Sequence, residues 1–143
     1  MTLLRDIPIG SVLLQQPPFR FVDYLESYSE KQTEVSFTVK EPLMLLENGR
    51  LSAAGVMEHM AQASAARVGY VTVYILHKQV SIGYIGQVKN FVLNRLPSIG
   101  ETLRTRVMLK QEIFGISLAD IEVWSGEELL ASASLKTALA HEQ

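Results

Sequence analysis

The chain has 143 residues, a length typical of one domain with its own hydrophobic core. It contains no cysteine, which excludes disulfides, thiolate metal sites and cysteine nucleophiles. Thirteen Lys and Arg against fifteen Asp and Glu give a formal net charge of −2, whereas a dedicated nucleic-acid binder usually has a strong basic excess. We therefore expect a single domain over residues 1–143, without nucleic acid as a partner.

No segment has the character of a membrane span or a secretory leader. The longest apolar-looking stretch, residues 51–76, contains Glu58, Gln62 and Arg67, and an ionised group at the centre of a bilayer costs about 2.5–3.5 kcal/mol. Residues 1–14 lack a basic start followed by a long apolar run. The expected location is the cytoplasm.

Two strands are predicted in the first part of the chain. Residues 19–25 form the first candidate. In residues 34–40, the apolar Val35, Phe37 and Val39 alternate with polar neighbours, which is the period of a strand with one buried face.

One long helix is predicted next, from Ser52, which suits the N-cap position, to about His77. Small residues are dense in it, so this helix can lie close to a sheet or to a second helix. They are Ala53, Ala54, Gly55, Ala61, Ala63, Ser64, Ala65 and Ala66. Residues 69–76 are richer in β-branched and aromatic side chains, so the sequence places the helix end only to within several residues.

Four strands are predicted after the helix: residues 82–93, residues 103–110, a strand ending near Trp124, and residues 129–136. A Ser-Gly-Glu turn at 125–127 joins the last two as a hairpin. Because strands and helices do not alternate, a doubly wound parallel sheet is not expected.

The order of these elements predicts an α+β architecture. One long central helix wrapped by a five- or six-stranded antiparallel sheet is the hotdog fold. Alternation along the strands gives the sheet one apolar face, which the helix covers, and one polar face in water. A dimer is expected, because pairing the edge strands of two subunits removes an exposed edge.

Glu58 is the first candidate for chemistry. It lies in the second turn of the predicted helix, on the face that carries Gly55 and Gln62 at the i−3 and i+4 positions. A carboxyl sheltered there suits a general acid or base, and the amides of the first turn, near Gly55, can polarise a carbonyl. The alternative is an ordinary solvated helix glutamate.

The remaining polar residues give weaker signals. His59 lies about 100° around the helix from Glu58, and we interpret it as a packing or surface residue. With His77 and His141 it forms no pattern of metal ligands, so no metal is predicted.

A basic stripe is formed by Arg104, Arg106 and Lys110, which share the outward face of one predicted strand. This stripe is either a solvated face or a docking surface for an acidic partner.

Three segments resemble the β-hydroxyacyl–acyl-carrier-protein dehydratases. Residues 18–23, Pro-Phe-Arg-Phe-Val-Asp, resemble that family's Pro-Phe-Leu-Leu-Val-Asp opening, and residues 55–62, Gly-Val-Met-Glu-His-Met-Ala-Gln, resemble its central-helix motif. Residues 86–103 are similar to its Gly-x-x-x-x-Phe…Pro-Gly-Asp-x-Leu pattern. The resemblance is closest to the divergent dehydratase-like proteins of aryl-polyene clusters, through Asn48-Gly49 and Phe114-Gly115.

The resemblance implies a hotdog dimer with the acyl chain in a tunnel beside the helix. In that family, a glutamate on the helix and a histidine from a preceding loop act as a pair across the dimer. Glu58 and Gln62 match the helix motif, but the loop at residues 44–50 reads Met-Leu-Leu-Glu-Asn-Gly-Arg and has no histidine. Asn48 and Arg50 are the polar candidates for substrate binding in that loop.

The first hypothesis is a dehydratase-like lyase that acts on 3-hydroxyacyl thioesters, carried on acyl-carrier protein, in fatty-acid or polyene-type lipid synthesis. It needs no cofactor. Glu58 would be the acid/base group, Gln62 would orient the hydroxyl or the carboxylate, and amides near Gly55 would hold the thioester carbonyl. The alternatives are an acyl thioesterase in which Glu58 activates water, and a non-catalytic acyl-binding subunit paired with an active dehydratase. A homodimer and a heterodimer with a related hotdog subunit both remain open.

Overall fold

In the computed structural model, which describes residues 2–79 and 83–139, one long helix packs against a seven-stranded antiparallel sheet. The strands are β1 (Thr2–Leu3), β2 (Tyr24–Tyr28), β3 (Gln32–Thr38), β4 (Leu46–Glu47), β5 (Arg50–Leu51), β6 (Gly83–Leu93), β7 (Thr102–Ile113), β8 (Ile116–Ser125) and β9 (Glu128–Leu139). The helix α1 spans Ala53–Tyr70 and continues into a π-helical turn at Val71–Ile75; a short 3-10 turn covers Ile9–Ser11. Among the described residues, no helix combines the length and apolar character needed to cross a bilayer.

The strand order in the sheet is β1-β2-β3-β7-β8-β9-β6, and every neighbouring pair is antiparallel. Six of these strands have five residues or more, and β1 adds a two-residue edge. The predicted hotdog fold is confirmed. The structure adds a small separate hairpin, β4–β5, directly before the helix, which the sequence pattern did not predict.

The inner face of the sheet is apolar because side chains alternate along each strand. In β7, Leu103, Thr105 and Val107 are buried, whereas Arg104 and Arg106 are exposed. The helix covers this inner face through the fully buried side of α1, and burial of that apolar area is the main favourable contribution to folding.

The helix begins where the sequence predicts. Ser52 is the N-cap, and its Oγ accepts a hydrogen bond from the Gly55 N–H at 3.2 Å. At the other end, a Cβ at Gly69 would overlap the backbone carbonyl of Val12. The small residues therefore let the helix lie in direct contact with the neighbouring backbone.

The predicted strands after the first are observed with ends shifted by at most three residues, and two boundaries change by more. The first predicted strand, residues 19–25, corresponds to β2, which starts at Tyr24. The residues before Tyr24 do not join the strand, because side chains of the helix bind the N–H and the carbonyl of Phe21, which a neighbouring strand would otherwise bind. The regular helix ends at Tyr70, where the β-branched and aromatic stretch continues as the π-helical turn. The predicted start of the next strand, residue 82, lies outside the described residues.

A charged cluster joins the loop after β6 to the β8–β9 turn. Arg95 forms a bidentate salt bridge with Glu101, in which Nη1 donates to Oε1 at 2.6 Å and Nη2 donates to Oε2 at 2.9 Å. Arg95 also donates to both oxygens of Glu128 at 3.0 Å, and Ser125 Oγ donates to Glu101 Oε2 at 2.6 Å. These contacts, led by the hydrogen bonds from Arg95, lower the pKa of Glu101 to about 2.

We predict that Glu101→Gln lowers the free energy of unfolding by about 1 kcal/mol at pH 7, a value reduced for solvent screening. A carboxyl whose pKa is lowered in the folded state stabilises above its unfolded pKa and loses that contribution as pH falls. The difference from the wild type should therefore shrink between about pH 4.5 and pH 2, as measured by urea unfolding. Glu127→Gln, at an exposed glutamate, is the control; a Glu101→Gln difference that stays constant down to pH 2 would contradict the prediction.

Candidate functional site

The second turn of α1 presents Glu58 at a half-buried position. Its Oε1 accepts a hydrogen bond of 2.8 Å from Nε2 of Gln62, one helical turn further on. The two residues that the sequence placed on one helix face are therefore in direct contact. Because Gln62 is neutral, this bond orients the Glu58 carboxylate without adding a compensating charge.

Gln62 also binds the chain segment that precedes β2. Its Nε2 donates to the Phe19 carbonyl at 2.9 Å, and its Oε1 accepts from the Phe21 N–H at 2.6 Å. Only this orientation of the side-chain amide satisfies both contacts, since the reverse would set donor against donor. Gln62 is 1% exposed, so it fixes Glu58 and segment 19–21 relative to each other.

His59 is fully buried and binds the same segment from the next position on the helix. Its Nδ1–H donates to the Phe21 carbonyl at 2.6 Å, and its Nε2 accepts from Thr105 Oγ1 at 2.7 Å. Burial lowers the pKa of His59 to about 4, against the opposing effect of the Phe21 bond. His59 is therefore a neutral packing residue, and its alternative placement at the surface is wrong.

Three exposed apolar side chains belong to Met57 in the helix and to segments that contact its first turns. Phe19 is 57% exposed, Leu45 41% and Met57 38%. Met57 is next to Glu58 in the helix, the Phe19 carbonyl accepts from Gln62, and Leu45 Cβ lies 3.4 Å from where a Cβ on Gly55 would stand. We call these three residues the apolar rim.

Gly55 is already engaged within the chain. Its N–H donates to Ser52 Oγ, and a Cβ at this position would overlap the side chain of Leu51. The first-turn amides with no acceptor inside a helix are those of Ala53 and Ala54, both at exposed positions. The role of Gly55 in holding a carbonyl stays a prediction.

Asn48 and Arg50 lie in the β4–β5 hairpin and are exposed. Asn48 has φ +52° and Gly49 φ +76°, as a tight turn requires. The hairpin is bound to the loop after β6, where Ile99 N–H donates to the Gly49 carbonyl at 2.9 Å. Within the described chain, neither Asn48 nor Arg50 hydrogen-bonds to Glu58 or Gln62, so their role in substrate binding also stays a prediction.

Two of the three cations of the basic stripe on β7 contact carboxylates of the same chain, and the third, Arg106, lies over the Trp124 ring. Arg104 Nε donates to Glu34 Oε1 at 2.7 Å, and Lys110 Nζ lies 3.2 Å from Asp120 Oδ2. These contacts favour the solvated-face interpretation over a docking surface. Within residues 2–79 and 83–139, no group of three or more His, Asp or Glu is arranged to hold a metal ion.

The role of His59 as the anchor of segment 19–21 was missed in the sequence. One signal was present, because Thr105 occupies an inward position in β7 between the apolar Leu103 and Val107. A buried hydroxyl requires a hydrogen-bonding partner, and the only histidine in the middle of the predicted helix is the partner that the structure provides.

We predict that Gln62→Leu lowers the free energy of unfolding by about 1–3 kcal/mol, because it leaves the buried Phe21 N–H without an acceptor. Chemical denaturation measures the change. Gln79→Leu, at an exposed glutamine, should change the stability little. Equal stability of Gln62→Leu and the wild type would contradict the bonding described above.

A second prediction concerns the pH dependence of stability. A histidine whose pKa falls on folding binds its proton more readily in the unfolded chain, so it makes the protein less stable as pH drops from about 6.5 to about 4. We expect His59→Gln to remove this contribution, which amounts to at most about 1.4 kcal/mol per pH unit. Unfolding free energies measured across that range provide the test, and His77→Asn, at an exposed histidine, should keep the wild-type slope.

Comparison with known proteins identifies the family. The model of the family described as "ApeP-like: ApeP dehydratase" matches residues 7–143. No curated protein is similar enough in sequence to count as a match.

Several solved structures share the fold. The dehydratase heterocomplex ApeI:P from Xenorhabdus doucetiae superposes with a TM-score of 0.86 at 17% identity, covering 96% of this chain and 94% of that one. The Escherichia coli PaaI protein from the phenylacetic acid degradation operon gives 0.65 at 14% identity, covering 83% and 80%. A hypothetical thioesterase with coenzyme A from Streptococcus pneumoniae gives 0.65 at 12% identity, covering 83% and 86%. Because the family match extends over nearly the whole sequence, this hotdog chain belongs to the ApeP-like dehydratase family.

Proposed function

We propose that this chain supplies Glu58 as the acid/base group of a dehydratase that acts on 3-hydroxyacyl thioesters carried on acyl-carrier protein. The observation that carries the proposal is the half-buried Glu58 carboxylate, which Gln62 holds in the second turn of the helix, with exposed apolar side chains on the helix and on neighbouring segments. Membership of the ApeP-like dehydratase family supports the reaction class. The expected setting is fatty-acid or polyene-type lipid synthesis in the cytoplasm.

The elimination needs one base and one acid. The base removes the proton from C2, the electrons of that C–H bond form the C2=C3 double bond, and the C3 hydroxyl leaves as water after it takes a proton from the acid. Glu58 Oε1 accepts from Gln62, and no described residue donates to Oε2. Oε2 is therefore the oxygen that takes the C2 proton. Amides of the first helical turn, at Ala53 and Ala54, would stabilise the negative charge that develops on the thioester carbonyl.

The second proton-transfer group is proposed to come from a partner subunit. His59 is unsuited to it, because this side chain is buried and both of its ring nitrogens are hydrogen-bonded within the chain. Arg50 stays protonated and Asn48 has no titratable group, so neither is an ordinary base. The apolar rim supports a dimer with a related hotdog subunit, and one solved structure of the same fold is a dehydratase heterocomplex.

A second candidate function is a non-catalytic acyl-binding subunit. The loop at residues 44–50, which has no histidine, favours it. In this case the chain would bind the acyl group or support its partner, and Glu58 would take no part in proton transfer.

One assay separates these functions. The purified chain, alone and assembled with the partner subunit, is incubated with 3-hydroxyacyl and plain acyl thioesters. An enoyl product without release of thiol supports the dehydratase, whereas free thiol from the plain thioester supports hydrolysis. If the assembled pair stays active when Glu58 of this chain is replaced by glutamine, the result supports the interpretation of this chain as a non-catalytic acyl-binding subunit.

We predict that Glu58→Gln lowers turnover of the 3-hydroxyacyl thioester by about 10²–10⁴-fold, the usual contribution of a general acid or base. The free energy of unfolding should change little, since the new amide oxygen can still accept from Gln62. Enoyl formation and urea unfolding are measured together, with Glu127→Gln as the control at an exposed carboxylate. Unchanged turnover in Glu58→Gln would end the acid/base proposal.

A further inference from the structure

A groove of about 480 Å³ lies on the face of the sheet opposite the helix, and we call it the outer groove. Its lining comes from β6, β9 and the tip of the β7–β8 hairpin, and comprises Gln87, Lys89, Asn90, Gln111, Ile113, Phe114, Ile116, Leu118, Ser134 and Lys136. Leu118 and Lys136 are paired across β8 and β9, and they alternate with the buried Ala119 and Leu135. This alternation places the groove on the outward face.

The hairpin tip gives the outer groove an apolar side. Ile113 is 48% exposed, Phe114 98%, Ile116 41% and Leu118 37%. Phe114 also has a φ of +51°, a conformation that bulky residues rarely adopt and that glycine or asparagine would adopt more readily. Neither the exposed ring nor its backbone conformation stabilises this chain on its own, which is expected of a residue that contacts a partner.

The charged lining of the outer groove is cationic. Lys89 and Lys136 line it, and no carboxylate among residues 2–79 and 83–139 does so. Two other cations on the outward face differ in this respect, since Arg104 and Lys110 contact Glu34 and Asp120. The outer groove therefore attracts a negatively charged surface that also presents apolar side chains.

We propose that the outer groove docks the acyl-carrier protein, through an acidic segment that carries an exposed apolar side chain. The identity of this partner rests on the proposed function; the acidic and apolar character rests on the groove itself. A second copy of the chain fits less well, because a two-fold contact of the groove with itself would set lysine against lysine. An anionic membrane is also less suitable, since such binding usually needs a cluster of four to eight basic residues.

The outer groove lies far from Glu58 of the same chain. His59, next to Glu58, bonds Thr105 of β7, and Ile113 is eight residues further along that strand, about 26 Å at 3.3 Å per residue. β6 also extends from the groove to the end of the sheet near Glu58. Gln87 pairs with Lys136 at the groove, and Leu93 pairs with Ala131 at the Glu58 end. If two subunits pair their β6 edges in antiparallel fashion, the groove of one subunit lies at the Glu58 end of the other. A docked carrier would then lie at the Glu58 end of the partner subunit on the outer face of the sheet, and its acyl group would have to pass around the sheet to reach the helix side.

Binding of the carrier tests this directly. Fluorescently labelled holo-acyl-carrier protein is titrated with the assembled dimer, and anisotropy is read at low and at moderate salt. We expect the double variant Lys89→Glu/Lys136→Glu to weaken binding at least tenfold, and Phe114→Ser to weaken it as well. The double variant Lys31→Glu/Lys78→Glu, which makes the same change of charge at two exposed lysines outside the groove, should bind like the wild type. Thermal unfolding verifies that each variant folds.

Turnover distinguishes docking from chemistry. With the acyl group on the carrier, kcat/KM should fall in the double variant, whereas kcat/KM for the same acyl group on pantetheine should stay unchanged. Failure of the wild type to bind the carrier, or equal binding by the double variant, overturns the proposal. Lysine-dependent binding of the wild type to phosphatidylglycerol vesicles in place of the carrier also overturns it. Carrier binding that depends on Lys89 and Lys136, without turnover of either substrate, would sustain the docking site and refute the proposed reaction.

Discussion

The arrangement around Glu58 depends on one buried side-chain amide. Gln62 hydrogen-bonds at once to the Glu58 carboxylate, the Phe19 carbonyl and the Phe21 N–H. The second turn of the helix and the segment before β2 are therefore positioned by the same three hydrogen bonds. Since a buried amide must satisfy its polar atoms, the helix cannot rotate without breaking the hydrogen bonds of Gln62 to the Phe19 carbonyl and the Phe21 N–H.

The consecutive residues Glu58 and His59 have opposite environments because they lie on different sides of the helix. His59 points into the core, where the Phe21 carbonyl and the Thr105 hydroxyl occupy both ring nitrogens. Glu58 is half-buried, with one oxygen bound to Gln62. The imidazole is thus held rigidly and organises the backbone, whereas the second oxygen of the carboxylate accepts no hydrogen bond from the described residues. Because both ring nitrogens of His59 are occupied, the proposed reaction requires a second titratable group from outside the chain.

Sequence periodicity was sufficient for the fold, because the hotdog sheet is built from strands with a clear inward and outward alternation, as in β3 and β7. The N-cap at Ser52 and the contact between Glu58 and Gln62 also followed from local spacing, which fixes neighbours on one helix. Contacts between distant segments did not follow. The bonds from Gln62 and His59 to Phe21 join residues 41 and 38 positions apart, and no local pattern encodes such a pairing. The carboxylates that contact Arg104 and Lys110 come from other strands, and their register could not be read from β7 alone.

The glycine at the C-terminal end of α1 restricts how the helix can move. A Cβ at Gly69 would overlap the Val12 carbonyl, whereas the close contact of Gly55 is with the side chain of Leu51, which directly precedes the N-cap. A helix packed this closely against backbone cannot shift at that end without moving the segment that carries Val12. For the proposed acyl substrates, adjustment to chain length would then come from flexible side chains such as Met57, whose unbranched thioether changes rotamer easily. Selectivity for the acyl group would accordingly be altered by exchanging individual side chains on a stationary helix, not by displacing the helix itself.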